Sequence, residues 1–291
     1  LMNRTLLGIL YGLGAASIWG GMYVVSKVVL EIIPPFALVS LRLILGVLTL
    51  AIILAFRGWF KITKSQFLQI ICVGFVGYGV SLNLQFLGTK LSTAANGSLV
   101  TSATPAFVLL FAWILLNEKI TTRKFIALLL ATLGILAVID PRSAQLYPDL
   151  FIGNVLLLGA GITWALYSVL VRKVTQNLDV LPFSLIAFLG GLPVAIPAGA
   201  WELSTAGIGE ISFGVVGGVL FLGVISTGLA MILWNSAFAM LDAGTASLPF
   251  FAQPVVGTFL GWLFLGEKIT PLFLLGGALI GVGILISTRE D

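Results

Sequence analysis

Apolar runs of about 20 residues follow one another along nearly the whole chain, and that pattern restricts its fold more than any other feature. A hydrocarbon core about 30 Å thick is crossed by a helix of roughly 20 residues. Ten such runs can be marked, approximately Thr5 to Leu30, Ile33 to Phe56, Phe67 to Gly88, Ala95 to Leu116, Arg123 to Ile139, Phe151 to Val171, Val180 to Trp201, Ser212 to Asn235, Ala246 to Leu265 and Pro271 to Ser287. In lipid only helices and closed barrels satisfy every backbone polar group, and the runs lack the period-two alternation of barrel strands. The expectation is an all-α integral membrane protein with ten transmembrane helices. Composition agrees: with 59% apolar and 9% charged residues and a mean hydropathy of +1.15, the chain could not clothe a soluble globule in polar surface. The first run is long and lacks a small-residue cleavage site, so it reads as a span rather than a removable signal peptide.

The chain also carries an internal duplication. Trp113 to Thr121 reads WILLNEKIT and Trp262 to Thr270 reads WLFLGEKIT; over Leu91–Thr121 against Met240–Thr270, an offset of 149, there are 11 identities in 31 ungapped positions. At an offset of 145, Gly14, Ala15, Trp19 and Lys27 meet Gly159, Ala160, Trp164 and Arg172. The expected units are residues 5–139 and 151–288, five helices each. Because five is odd, the second unit must sit upside down relative to the first, giving two inverted five-helix repeats.

Charge placement tests that topology. With a cytoplasmic N-terminus, the inner segments hold Arg4, Arg57, Lys61, Lys64, Lys119, Arg123, Lys124, Arg172, Lys173 and Arg289, ten in all, against three outside, Lys90, Arg142 and Lys268. This obeys the positive-inside rule and puts both termini in the cytoplasm. Glu31, Asp140, Asp149, Glu202 and Glu210 fall outside, although acidic residues weigh little in that rule.

Several chemistries are excluded. There is one cysteine, Cys72, and no histidine, so no disulfide framework and no zinc, haem or copper site built on His or paired Cys is expected, nor any cofactor. No GxxxxGK[ST] loop for ATP is present, and a Ser–His protease centre is impossible. The expected partners are a small-molecule substrate and the lipid bilayer, with no nucleic acid. An enzyme is not expected, although a lipid transferase working from loop residues stays open, as does a nonenzymatic receptor or assembly subunit.

Aromatic residues sort by depth. Trp59, Trp113, Trp201 and Trp262 lie near span ends, where indoles favour the headgroup boundary. Trp19, Tyr78, Trp164 and Tyr167 lie well inside their spans, and Trp164 and Tyr167 share a helix face. A polar hydrogen unpaired in lipid is costly, so these rings should face protein core or a wet cavity. Polar side chains mark a candidate path: Asn96, Ser98, Thr101 and Ser102 with Pro105 in the fourth run, Ser81 and Gln85 beside Tyr78 in the third, and Ser226, Thr227, Asn235 and Gln253 in the second half. Such groups either line a cavity or bond between helices, at about 0.6 kcal/mol each.

The repeated Glu-Lys-Ile-Thr reads first as a helix hairpin. Thr121 and Thr270 can cap the next helix, Ile120 and Ile269 can pack on Phe125 and Leu274, and Pro271 suits a first helical position; Glu118 and Glu267 could alternatively serve gating or assembly. Gly277 and Gly281 form a GxxxG in the tenth run, with Ala127 and Ala131 as its equivalent in the fifth, so helices 5 and 10 should pack closely within a monomer or across a dimer. Pro105, Pro193, Pro197, Pro249 and Pro254 are candidate kinks. The intramembrane charges are Lys27 and Arg42, both placed toward the outer side, where each can snorkel or Lys27 can pair with Glu31. No carboxylate or imidazole is placed for a proton relay, which favours facilitated diffusion or exchange.

On Trp19-Gly20-Gly21 and Lys27, Pro35 and Arg42, Ala94-Ala95 through Pro105, and Glu118-Lys119, the chain resembles tandem EamA domains of the drug/metabolite transporter superfamily. The second half departs at Leu189, where Arg42 would align, and at the extra Pro249. Within the superfamily it looks most similar to amino-acid exporters of the YddG type. The resemblance implies a secondary carrier in the cell membrane, a bacterial inner membrane, with its two inverted five-helix repeats around a central cavity, exporting small metabolites by alternating access. Amino acids with aromatic or apolar side chains are the expected cargo, and drugs, nucleosides or sugars coupled to protons are the alternative.

Overall fold

The computed structural model describes residues 4–57, 61–119, 121–139 and 147–288. Among these no strand occurs. Eight helices are long and apolar enough to cross a membrane: α1 (Arg4–Val29), α2 (Pro35–Arg57), α3 (Lys64–Leu91), α4 (Ala94–Leu116), α6 (Pro148–Val174), α7 (Val180–Ala206), α8 (Phe213–Met240) and α9 (Ala243–Leu265). Two more, α5 (Thr122–Ile139) and α10 (Pro271–Thr288), lie against one another. Phe56 and Phe213 stand almost wholly exposed, and Val255 and Phe264 largely so, which is tolerable only for a surface solvated by lipid.

Local sequence explains where the helices start and stop. Thr63 and Gln66 form a capping box at the start of α3. Thr93 accepts a hydrogen bond from the Asn96 amide at 3.0 Å, and Asp242 accepts one from Thr245 at 2.9 Å, so α4 and α9 are capped 149 residues apart in the same way. Both helices also end alike. Asn117 and Gly266 take left-handed backbone at φ 57° and 64°, and the next amides, of Glu118 and Glu267, return to Ala112 and Gly261, closing Schellman turns. The repeated tetrapeptide thus builds a hairpin: Thr270 Oγ1 accepts from the Phe273 amide at 3.1 Å, and Pro271 opens α10. Ile120 lies outside the described residues.

The two halves are interleaved. α1 packs on α8 and α9, α6 on α3 and α4, α2 on α8, α3 on α7, and three pairs, α2 with α7, α4 with α9 and α5 with α10, join like-numbered helices of each half. Adding or subtracting five converts the pairing list into itself. Close approach depends on glycine at the crossing of α3 and α7: a Cβ on Gly74 would overlap the Ala187 carbonyl, and one on Gly190 that of Ile71. Among the described residues, a Cβ on Gly277 would meet only Leu99 and one on Gly281 nothing within 4 Å. Ala127 and Ala131 lie outside the residues whose side chains are described.

Prolines act differently from place to place. α4 breaks at Ser102–Ala103, with Pro105 just inside the segment that resumes at Thr104, and α9 passes through a 3-10 stretch at Leu248–Phe251 that contains Pro249. Pro193 and Pro197 sit within an unbroken α7.

Candidate functional site

Midway along the bundle, α3 and α8 each loosen into a π-helical stretch, Phe75–Ser81 and Phe221–Leu229. Widened turns of this kind recur at functional sites because they redirect side chains and release carbonyls. Here they present Tyr78 and Ser81 from one half and Ser226 and Thr227 from the other. Between them and the breaks in α4 and α9 lies a narrow cavity. Its free space is about 20 Å³, room for about one water, and its walls include Trp19, Arg42, Ser81, Gln85, Thr101, Trp164 and Gln253.

Aromatic rings from both halves form one cluster. Trp19 meets Trp164 edge to face at 5.5 Å, within the preferred range for aromatic pairs. Trp164 stacks on Tyr167 at 4.6 Å, and Tyr78 contacts both. Trp234 and Phe250 close the other side of Trp19, at 5.3 and 5.9 Å. The polar hydrogens are mostly engaged: Trp19 Nε1 donates to the Ser226 carbonyl at 2.9 Å, and Trp234 Nε1 to Ser168 Oγ at 3.1 Å. Trp164 Nε1, buried, has no partner among the described residues.

Two hydrogen-bonded chains run beneath the cluster. Gln85 donates to the Tyr23 hydroxyl at 2.6 Å, Tyr23 to Thr101 Oγ1 at 2.8 Å, and Thr101 to the Gly97 carbonyl at 2.7 Å; Gln253 joins at Thr101, also at 2.7 Å. In the other chain Tyr78 donates to Tyr167, Tyr167 to Asn235 Oδ1 at 3.0 Å, Asn235 to Ser184 at 2.9 Å, and Ser184 to the Val180 carbonyl at 2.7 Å. Each chain ends on a backbone carbonyl, so its direction of donation is fixed.

Arg42, for which sequence left outward snorkelling and a functional role inside the membrane both open, is fully buried on the cavity wall. Its Nε donates to Thr227 Oγ1 at 2.8 Å, Nη2 reaches Ser226 Oγ at 3.4 Å, Nη1 reaches the Met22 sulfur at 3.5 Å, and Phe86 lies 4.7 Å beneath the guanidinium. Thr227 can be there because the π-turn sends its own hydroxyl to the Leu222 carbonyl, five residues back. Lys27 is elsewhere. Rather than pairing with Glu31, its Nζ donates to the carbonyls of Thr89, Lys90 and Ser92 at 3.2, 2.8 and 2.6 Å, satisfying the end of α3.

The remaining expected residues divide. Trp19, Ser81, Gln85, Thr101, Trp164 and Gln253 line the cavity, while Tyr78, Tyr167, Thr227 and Asn235 form its second layer. Asn96 turns away to Asn154 at 3.4 Å, and Ser98 packs on Gly257 while donating to the Ala95 carbonyl. Ser102 faces an apolar groove shared with Pro254 and Phe273; the break in α4 turns it off the stripe. Trp234, Tyr23, Thr104 and Phe250 belong to the site without having been singled out. Trp234 was the findable one, as the one deep tryptophan left unsorted, 149 residues beyond Gln85. Among the end-of-span tryptophans, Trp113, Trp201 and Trp262 are at least half exposed, as a membrane belt requires, and Trp59 lies outside the described residues.

Three known proteins with similar sequences are transporters by name. The chain is 26% identical over 289 residues to the uncharacterized transporter YoaV of Bacillus subtilis (strain 168), covering 99% of this chain and 97% of that one. It is 27% identical over 282 residues to the uncharacterized transporter YetK of the same organism, covering 94% and 84%. An uncharacterized transporter of Archaeoglobus fulgidus is 25% identical over 278 residues, covering 94% of each. A crystal structure of another protein superposes with a TM-score of 0.67 at 19% identity, over 97% of this chain and 96% of that one, a likeness of fold. The family model of the EamA-like transporter family matches twice, over residues 6–139 and 151–289. The chain therefore belongs to the EamA family of the drug/metabolite transporter superfamily, with two EamA-like domains.

Proposed function

We propose that this transporter exports small metabolites through the cavity between its halves, amino acids with aromatic or apolar side chains foremost, by alternating access. One observation carries the reading: Trp19 and Trp164, at matching places in the duplication, meet at 5.5 Å on the cavity wall. Broad aromatic contact beside a few polar groups suits a loosely selected apolar side chain. The cavity's gaps are narrow, so passage of an amino acid requires the halves to part.

The accompanying topology has ten membrane-crossing helices in two inverted units, about residues 5–139 and 151–288, with both termini in the cytoplasm of a bacterial cell. Its support is the helix pairing that survives exchange of the halves, together with the excess of inner Lys and Arg. The contact of α5 with α10 inside one chain supports a carrier complete as a monomer. No carboxylate lies on the cavity wall among the described residues, which supports flux down gradients rather than tight proton coupling. The test is purified protein in liposomes: labelled phenylalanine should exchange across the bilayer faster than in protein-free vesicles, and equal rates would remove the proposal.

A further inference from the structure

We infer that the solute this cavity selects is a monocarboxylate with an apolar or aromatic body, anchored through its carboxylate by Arg42, and that a free ammonium group gains nothing there. The inference rests on the carrier reading above and narrows its cargo.

It follows from which groups are already spent. The Gln85–Tyr23–Thr101 and Tyr78–Tyr167–Asn235 chains each run to a backbone carbonyl, so their hydroxyl protons are committed within the protein. What remains on the wall is the amide oxygens of Gln85 and Gln253 and one charged donor, the Arg42 guanidinium. Arg42 has five N–H groups, and of its partners only Thr227 is at a normal hydrogen-bond distance; the others are a hydroxyl at 3.4 Å, a thioether sulfur at 3.5 Å and an aromatic face. Every one of these partners is neutral. Guanidinium does not give up its proton in proteins, and a buried cation without a counter-charge is costly and usually functional. Trp164 Nε1 supplies a donor on the same wall that has no partner among the described residues.

A carboxylate fits this inventory from its own chemistry. It is an acceptor alone, matches the guanidinium fork with two parallel bonds, and cancels one charge with one charge. The aromatic rings then take the rest of the solute. An ammonium would stand beside the buried Arg42 cation, and no anion on this wall among the described residues offsets that like-charge repulsion. A phosphate monoester would bring a second negative charge without a partner.

The experiment uses the full chain in detergent and in liposomes. Thermal denaturation is followed with 3-phenylpropanoate, 2-phenylethylamine or phenyl phosphate, and each is also used to compete with labelled phenylalanine exchange. The inference expects 3-phenylpropanoate to raise the melting temperature and to compete about tenfold or more better than 2-phenylethylamine, with phenyl phosphate between them. Arg42→Gln should abolish the carboxylate's thermal shift, and Arg42→Lys should retain part of it. If Arg42→Gln does not fold, the ranking of the three solutes on the native chain decides alone. Equal effects of carboxylate and amine, or an unchanged shift in Arg42→Gln, would overturn the inference. A carboxylate shift without any flux would uphold the site and refute the carrier reading.

Discussion

Lys27 and Arg172 hold matching posts in opposite halves. Lys27 Nζ takes the carbonyls of Thr89 and Lys90 at the end of α3, and Arg172 Nη1 takes those of Phe238 and Ala239, each 149 residues further on, at 3.5 and 3.2 Å at the end of α8. A cation at a helix C-terminus answers both the unbonded carbonyls and the dipole. Lys27 therefore fastens α1 to α3 as Arg172 fastens α6 to α8.

Replacing Lys27 by Met should cost about 1–3 kcal/mol of stability, because the carbonyls lose three donated bonds while half-buried. Lys27→Arg should cost less than half as much. Thermal denaturation in detergent measures both; equal losses would deny the capping role.

Glu267 joins the halves on one face. Its two oxygens accept from the Ala94 and Ala95 amides at 2.7 Å each, capping α4 from the far end of α9. Glu267→Ala should destabilise by about 1–3 kcal/mol. Glu118 is the counterpart in the duplication, and its side chain caps no helix start among the described residues, so Glu118→Ala should cost under about 0.5 kcal/mol. Comparable losses for the two would show that the asymmetry is not real in solution.

Indole nitrogens separate structure from binding. Trp19→Phe breaks a bond to the Ser226 carbonyl and should cost about 1 kcal/mol in melting experiments. Trp164→Phe removes a nitrogen that has no partner among the described residues, so it should leave stability within about 0.5 kcal/mol yet weaken 3-phenylpropanoate binding several-fold. Isothermal titration beside denaturation distinguishes them, and a stability loss without an affinity loss for Trp164→Phe would count against the site.

Full truncation extends the contrast. At equal expression, Trp19→Ala or Trp164→Ala should reduce phenylalanine flux about tenfold, while the exposed Trp201→Ala should change it less than twofold. Equal effects in vesicle assays would mean that the cluster is packing alone.

Eight of the spans, the duplication and the start of α10 were legible from sequence because each rests on local rules: apolar run length, repeated sequence, and a Thr and Pro at the head of a helix. The cavity was half legible. Helical spacing put Tyr78, Ser81 and Gln85 on one face, and the structure keeps Ser81 and Gln85 at the wall. The same spacing misplaced Ser102, since the chain breaks beside it, and it could not foresee the π-turns that carry Thr227 to Arg42. Sequence also could not tell a snorkelling arginine from one held inward, because that depends on a neighbour 185 residues away.

The most direct test of the account is exchange across proteoliposomes with no ion gradient, using labelled phenylalanine and labelled 3-phenylpropanoate on native protein and Arg42→Gln. The account predicts saturable, protein-dependent flux of both solutes in native protein and a loss of about tenfold or more in the variant. Flux no faster than in empty vesicles, or flux that appears only under an imposed pH gradient, would contradict it.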